Sequence, residues 1–353
     1  MKPTTNKTKN LTHVKVMNSD KEGTKRTMED HKHHIIENLK VLRSIEQGNK
    51  QTFKAIAYNK VIKALELHTD PIMVIEDVDK IKGVGKGIRD KIDQIMQTGF
   101  TGVTKDAMDG ETELGKNIKA LEELTKVMSI GPVKAKSLLE EHSIRTVVQL
   151  RDNLHLLNEK QKLGVQHHDD FVLRIPRKEM EKHYKYISEV IDKIDNNLMF
   201  EMTGSFRRLN KDSGDIDILV TYKHGRNSSG GAEASFKKVI ALLQSWNYLT
   251  DHFAYGESKY NGIAHLEKHK HFRRIDIMYT SPERFPFALL YFTGSQEFNI
   301  KMRKKALDMG YSLNEYGLKH TSQELKTSHI PVMETEKDVF KFLKMEWVEP
   351  EDR

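Results

Sequence analysis

The hydrophobic pattern of this chain changes period partway along, which excludes a single repetitive architecture. Over 30–93, apolar residues recur at three- and four-residue steps: Ile35, Ile36, Leu39, Leu42 and Ile45, then Phe53, Ile56, Ala57, Val61 and Leu65. Such spacing lays apolar side chains along one face of a helix. After Ile194 the texture shifts to β-branched and aromatic runs at 199–203, 216–221 and 274–279, which read as strands. Helical stretches at 236–246 and 297–309 lie among them. A helical first half and a mixed second half predict a multi-domain α plus α/β protein.

Other features narrow the class. At 353 residues the chain suits two to four compact modules, and 37% hydrophobic residues suffice to build cores. The absence of cysteine excludes disulfides and thiolate zinc sites. No apolar run approaches the roughly 20 residues of a membrane span. The first residues lack the apolar stretch of a signal peptide, so an intracellular protein is expected, with nucleus and cytoplasm, and viral and cellular origin, all open. A net charge of +7 suits a polyanionic partner. Nothing in the pattern indicates an oligomer, so a monomer is expected.

Segments 1–28, 98–116 and 223–235 break the pattern. The first reads as a flexible basic tail, the second as a linker, and the third, with Asn227-Ser228-Ser229-Gly230-Gly231, as an exposed loop. Arg174-Ile175-Pro176 marks a junction, because a proline disfavours helix at the residue before it.

Two short segments share a form. Ile81-Lys82-Gly83-Val84-Gly85-Lys86 and Val127-Met128-Ser129-Ile130-Gly131-Pro132 each precede a basic helix. Glycine permits a sharp turn, and the unpaired N–H groups at the start of the next helix can seat a phosphate. Lys86, Arg89 and Lys91 add charge to the first copy, and Lys134 and Lys136 to the second. One such turn serves helix packing equally well; two copies with basic residues favour contact with a nucleic-acid backbone.

Asp215-Ile216-Asp217 lies on a strand-like run. Residues two apart on a strand face the same side, roughly 6–7 Å apart. Carboxylates so close repel unless a cation lies between them. By itself an Asp-x-Asp pair also fits a solvated strand edge. Gly204-Ser205 upstream, with Arg207 and Arg208, offers N–H, hydroxyl and guanidinium groups to phosphate oxygens. Asp276, among apolar neighbours on another strand, supplies a third carboxylate. Three carboxylates on adjacent strands can hold two divalent cations, Mg²⁺ or Mn²⁺, for nucleotidyl transfer.

GSFRRLNKDSGDIDILV, RRIDI, YFTGSQEFNIKMRKKAL, SLNEYGL and EPEDR occur in that order. These motifs resemble the family X DNA polymerases of the beta type, with a likeness covering roughly 30–353. The resemblance implies a helical lyase-like domain at 29–105 with the first helix-hairpin-helix, and a DNA-binding subdomain at 106–176 with the second. It implies a nucleotidyltransferase palm at 177–285 and a nucleotide-selection subdomain at 286–353. It implies Asp215, Asp217 and Asp276 as ligands of two Mg²⁺, with Asp276 as general base and Arg274 tuning it. Arg174, Ser205, Arg208 and Gly214 match triphosphate contacts. Tyr291 and Phe292, with Thr293 and Gly294, match the segment that excludes a ribose 2′-hydroxyl. Asn299 and Arg303 match minor-groove contacts, and Glu315 and Tyr316 a pair that supports closure. Lys91 matches the lyase nucleophile, and Lys54 and Tyr58 its 5′-phosphate pocket. Gly83, Gly85, Lys86, Gly131 and Lys134 match contacts to DNA. The carbonyls of Ile81, Val84, Val127 and Ile130 match sites for Na⁺ or K⁺.

The implied partners are gapped or nicked DNA and a deoxynucleoside triphosphate, with no membrane. Some positions depart from the family pattern: Gly87 stands where a pocket lysine is expected, a lysine after Gly99 is missing, and 100–117 reads as an insertion. Ser129 replaces a hairpin glycine, Met278 an arginine that pairs with a metal-binding aspartate, and Ile300 a lysine that stacks on the template. Template-independent nucleotide addition and non-catalytic binding of DNA ends stay open as alternatives. Asn299, Arg303 and the paired hairpins favour template use, and the three aspartates favour catalysis.

Overall fold

The computed structural model describes residues 30–49, 51–68, 70–109, 112–223, 232–321 and 330–353. The tail expected at 1–28 and residues 227–231 of the expected loop lie outside them. The chain forms two compact units: residues up to Lys126 with Ile130–Gln149, and Val127–Ser129 with Leu150–Arg353. The segment 106–176, read above as one subdomain, contributes to both.

The first unit is helical. It contains α1 (Lys32–Gly48), α2 (Thr52–Glu66), a 3₁₀ turn (Ile75–Lys80), α3 (Lys86–Thr98), α4 (Gly102–Met108), α5 (Glu113–Thr125) and α6 (Pro132–His142). The chain then passes through α7 (Val147–Arg151) into the second unit. Ile35, Leu39, Val61, Leu65, Ile72, Ile92 and Ile95 are fully buried together. On α2 the buried face is Ala55, Tyr58, Val61, Ile62 and Leu65. Phe53 and Ile56, expected on that face, are 90% and 45% exposed. Helical spacing through Tyr58 carries the apolar stripe past both of them.

The span 98–116, expected as a linker, instead carries α4 and the start of α5. Thr101 caps α4 by accepting from Thr104 N at 3.0 Å, and Thr112 caps α5 by accepting from Gly115 N at 3.0 Å. Thr104, fully buried, donates to Asn38 at 2.6 Å. The polar residues that suggested a linker are helix caps and a buried hydrogen bond.

The second unit begins with α8 (Glu159–Gln166), α9 (His168–Phe171), β1 (Ile175–Pro176) and α10 (Arg177–Ile194). There follow β2 (Leu198–Met202), α11 (Gly204–Arg207), β3 (Asp212–Ser213), β4 (Ile216–Tyr222), α12 (Ala232–Ser245), β5 (Leu249–Tyr255), β6 (Lys259–Ala264) and β7 (Arg273–Tyr279). The chain ends with α13 (Phe285–Thr293), α14 (Gln296–Asp308), β8 (Tyr311–Asn314), β9 (Gly317–His320) and α15 (Glu336–Phe342). The helix α12 starts inside the loop expected at 223–235.

Strands pair in the order β2-β4-β7-β6-β5; β4 and β7 are parallel, and the other neighbours antiparallel. One sheet face buries Ile216, Ile218, Val220, Ile275 and Ile277 with apolar residues of α10 and α12. On the other face, Leu219 and Met278 pack with Ala288 of α13. Period-two alternation then turns Asp217 and Asp276 toward this second face. Beyond it, α14, β8, β9 and α15 share a core around Phe298, Met302, Val339 and Phe340. Among the described residues, no helix is long and apolar enough to cross a membrane.

Candidate active site

Strand pairing assembles the acidic cluster. In the parallel β4–β7 ladder, Asp217 lies opposite Asp276, and Asp215 immediately precedes β4. One carboxylate oxygen from each of the three lies within 4.8 Å of the others. Arg274 Nη2 pairs with Asp215 Oδ2 at 2.5 Å. The family likeness has Arg274 tuning Asp276; its hydrogen bond goes to Asp215, and its charge also acts to lower the Asp276 carboxyl. The amide of Asn261, on β6, donates to Asp276 Oδ1.

Electrostatics reflect this crowding. Burial pushes the Asp217 carboxyl up to about 8, reinforced by Asp215 and Asp276 and opposed by Arg274 and Arg208. Burial also raises Asp276, against the lowering effect of its Asn261 hydrogen bond. Three carboxylates with one directly paired guanidinium leave excess negative charge in a confined space. Their all-oxygen donor set fits a hard divalent cation such as Mg²⁺ or Mn²⁺.

The Gly204-Ser205 turn lies against this cluster. Thr203 N donates to the Asp217 carbonyl at 2.8 Å, which ties the turn to β4. Gly204 adopts φ +57°, and a Cβ there would run into the Asp217 carboxylate. Glycine is required both for the left-handed backbone and for the close approach. Ser205 donates its hydroxyl to Ser213 at 2.9 Å, and Arg208 donates to the Thr293 carbonyl at 2.5 Å. Arg174 pairs with Asp212 at 2.7 Å, and a Cβ on Gly214 would sit 2.9 Å from its guanidinium.

Tyr291 and Phe292 end α13 edge-to-face, with ring centroids 5.0 Å apart. Asn299 donates to the Tyr291 carbonyl at 2.7 Å, and the Arg303 guanidinium lies 5.0 Å from the Tyr291 ring centroid. Gly294 follows with φ +68°. Glu315 and Tyr316 form the β8–β9 turn, and Lys259 and Arg284 each lie 5.9 Å from the Tyr316 ring. Met278 is buried in the apolar cluster under α13.

In the first unit, Lys91 Nζ lies 6.0 Å from the ring centroid of buried Tyr58. Lys54 Nζ is 3.7 Å from Glu46, and Lys86 is exposed at the start of α3. The two hairpins share backbone geometry. Gly83 and Ser129 both have positive φ, +99° and +68°, while Gly85 and Gly131 are extended caps of α3 and α6. Ser129 therefore keeps the left-handed turn without glycine. Ile81, Val127 and Ile130 are buried and Val84 half-buried, and the Ile81 carbonyl accepts from Val84 N at 3.3 Å. Lys134 and Gly131 lie on the α6 side of the second hairpin.

Asn261 escaped the sequence reading, as did Glu336 and Arg353. The one available signal for Asn261 was a polar residue inside the apolar run Tyr260-Asn261-Gly262-Ile263-Ala264.

A mixed sheet carrying three carboxylates on its parallel pair, beside a Gly-Ser turn, defines a nucleotidyltransferase palm. Family models agree in chain order: a helix-hairpin-helix domain at 30–100, the fingers domain of DNA polymerase lambda at 122–172, the DNA polymerase beta palm at 174–282 and the DNA polymerase beta thumb at 288–353. The chain is 30% identical over 335 residues to DNA polymerase lambda of Rattus norvegicus, covering 91% of this chain and 56% of that protein. It is 27% identical over 316 residues to DNA polymerase lambda of Arabidopsis thaliana, covering 85% and 58%. It is 24% identical over 324 residues to DNA nucleotidylexotransferase of Gallus gallus, covering 83% and 61%. The chain thus spans somewhat over half the length of these curated relatives. It belongs to the family X DNA polymerases.

Proposed function

We propose that the chain is a template-directed DNA polymerase that fills short gaps during base excision repair, adding deoxynucleotides to a primer 3′-hydroxyl with release of pyrophosphate. The observation that carries this reading is the convergence of Asp215, Asp217 and Asp276 on the parallel β4–β7 pair beside Gly204-Ser205. Asp215, Asp217 and Asp276 would hold two Mg²⁺, with Mn²⁺ able to substitute. The bound ions supply Lewis acidity and neutralise the triphosphate. Asp276 accepts the proton of the primer hydroxyl. Ser205, Arg208, Gly214 and Arg174 receive the triphosphate; Arg174 must first exchange Asp212 for it. Tyr291, Phe292 and Gly294 line the sugar, Asn299 and Arg303 meet the minor groove, and Tyr316 supports closure.

The proposed domains are 29–105 for lyase chemistry, 106–176 for duplex binding, 177–285 for catalysis and 286–353 for nucleotide selection. Gly83, Gly85, Lys86, Gly131 and Lys134 bind the DNA backbone, and Na⁺ or K⁺ rests on the carbonyls of Ile81, Val84, Val127 and Ile130. Lys91 attacks the C1′ aldehyde of a ring-opened 5′-deoxyribose phosphate and forms a Schiff base with loss of water, with Lys54 and Tyr58 around it; an amine nucleophile must first shed its proton.

Primer extension on single-nucleotide-gapped DNA with Mg²⁺ or Mn²⁺ tests the polymerase reading. The parent extends the primer, and Asp217→Ala does not while still binding the DNA. Equal extension by Asp217→Ala would sink the site. The 24% identity to a nucleotidylexotransferase favours template-independent addition as the second reading. Extension of a single-stranded primer without template preference would put it first.

A further inference from the structure

Two carboxylates of the acidic cluster are held differently. Asp215 is paired with the Arg274 guanidinium, whereas Asp276 accepts from the neutral amide of Asn261. Among the described residues, Asn261 is the side-chain donor to Asp276. The two lie directly opposite each other in the antiparallel β6–β7 ladder. Opposed side chains on one sheet face stand close enough for a short amide to reach a short carboxylate. Asn261 itself is half-buried between Tyr260 and Gly262, both buried, on a strand whose end, Ile263 and Ala264, is fully buried. A polar side chain in such a place needs a partner, and Asp276 supplies it.

The chemistry of the donor matters. An arginine or lysine at position 261 would neutralise Asp276 and compete with a cation. An amide orients the carboxylate without cancelling its charge. It engages Oδ1 and leaves Oδ2 without a hydrogen bond from Asn261.

We propose that Asn261 is a positioning residue for Asp276: it locks the carboxylate rotamer so that the second oxygen is presented to the divalent cation and the primer hydroxyl. This rests on the reading of the cluster as a polymerase site. Hydrogen-bond partners of ligating side chains orient them, and their loss typically costs about 10–100-fold in metal affinity or activity.

The test uses Asn261→Leu, which keeps the branching at Cγ and removes the donor, and Asn261→Ser, whose hydroxyl is too short to span the strands. Mn²⁺ binding to the full chain, without DNA or nucleotide, is followed by electron paramagnetic resonance. Single-nucleotide incorporation on gapped DNA is measured beside it, with thermal unfolding as a control. The expected result is weaker Mn²⁺ binding and a kcat lowered about 10–100-fold, with the KM for nucleotide and the affinity for gapped DNA unchanged. Parent-like Mn²⁺ binding and kcat in a folded variant overturns the proposal, as does a fall confined to the unfolding temperature. Should Asn261→Leu lose its fold, Asn261→Ser decides by the same readouts. If the parent incorporates nothing, the polymerase reading fails, and Mn²⁺ binding by the variants still judges Asn261.

Discussion

Arg207 grips Glu336 through two hydrogen bonds, Nη1 to Oε1 at 3.0 Å and Nη2 to Oε2 at 2.6 Å. Arg207 closes α11 beside the acidic cluster, and Glu336 opens α15, 129 residues later. Arg207 also donates to the Thr293 hydroxyl at 2.6 Å, at the end of α13. Arg353 reaches the same carboxylate at 2.7 Å, its side chain fully buried and its guanidinium 4.7 Å from the Trp347 ring centroid. One carboxylate therefore joins the turn beside the cluster to the core around α14 and α15.

Removing that carboxylate leaves two guanidinium groups without their shared partner. Breaking a buried pair from one side costs about 3–5 kcal/mol. Glu336→Ala should lose that much in urea unfolding, and Glu336→Gln less. A loss below about 1 kcal/mol would place this network among surface pairs, which contribute little.

Asp217 makes a pH prediction. Its folded value near 8 lies above the ordinary 3.8, so between about pH 4 and pH 8 the folded chain keeps a proton that the unfolded chain releases. Stability of the metal-free protein is then full below about pH 4 and is lost as pH rises through about 8. In EDTA, Asp217→Asn should gain on the parent as pH rises between those limits, by about 1 kcal/mol or more. Mg²⁺ should shrink the gap. A gap that is constant with pH would show that Asp217 ionises freely.

Gly204→Ala joins a backbone penalty to a collision. The left-handed conformation costs a residue with a Cβ about 1–2 kcal/mol, and that Cβ would displace the Asp217 carboxylate. Lower thermal stability together with a steep drop in primer extension is expected. Full extension by Gly204→Ala would mean that the turn adapts without moving Asp217.

For the lyase, borohydride should trap a covalent adduct between the parent and an incised abasic site. Lys91→Ala should abolish the adduct and leave gap filling intact. Undiminished trapping would move the nucleophile elsewhere, with exposed Lys86 the first candidate.

Much of the site was legible because it is local. Asp215 and Asp217 share a face by the period of a strand alone, and Ser205 of the Gly-Ser turn lies about ten residues upstream of Asp215. The helices around Ile35, Leu39 and Leu65 announced themselves by spacing. The misreadings were also local. Thr101, Thr104 and Thr112 suggested a linker because capping threonines and loop threonines have the same composition. Phe53 was placed inside because the apolar count passed over Tyr58, which is buried.

The sequence by itself determined the helical first part, the strands at 199–203, 216–221 and 274–279, the Asp-x-Asp pair, the glycine turns and the family. Only the tertiary structure decided which strand lies beside β4, and hence that Asp276 stands opposite Asp217. It alone decided that Arg274 serves Asp215, that Asn261 serves Asp276, and that Glu336 binds both Arg207 and Arg353. The reason is physical. Backbone geometry sets the period of a helix or strand from neighbouring residues, whereas a ladder register and a buried ion pair depend on how distant segments close around a shared core.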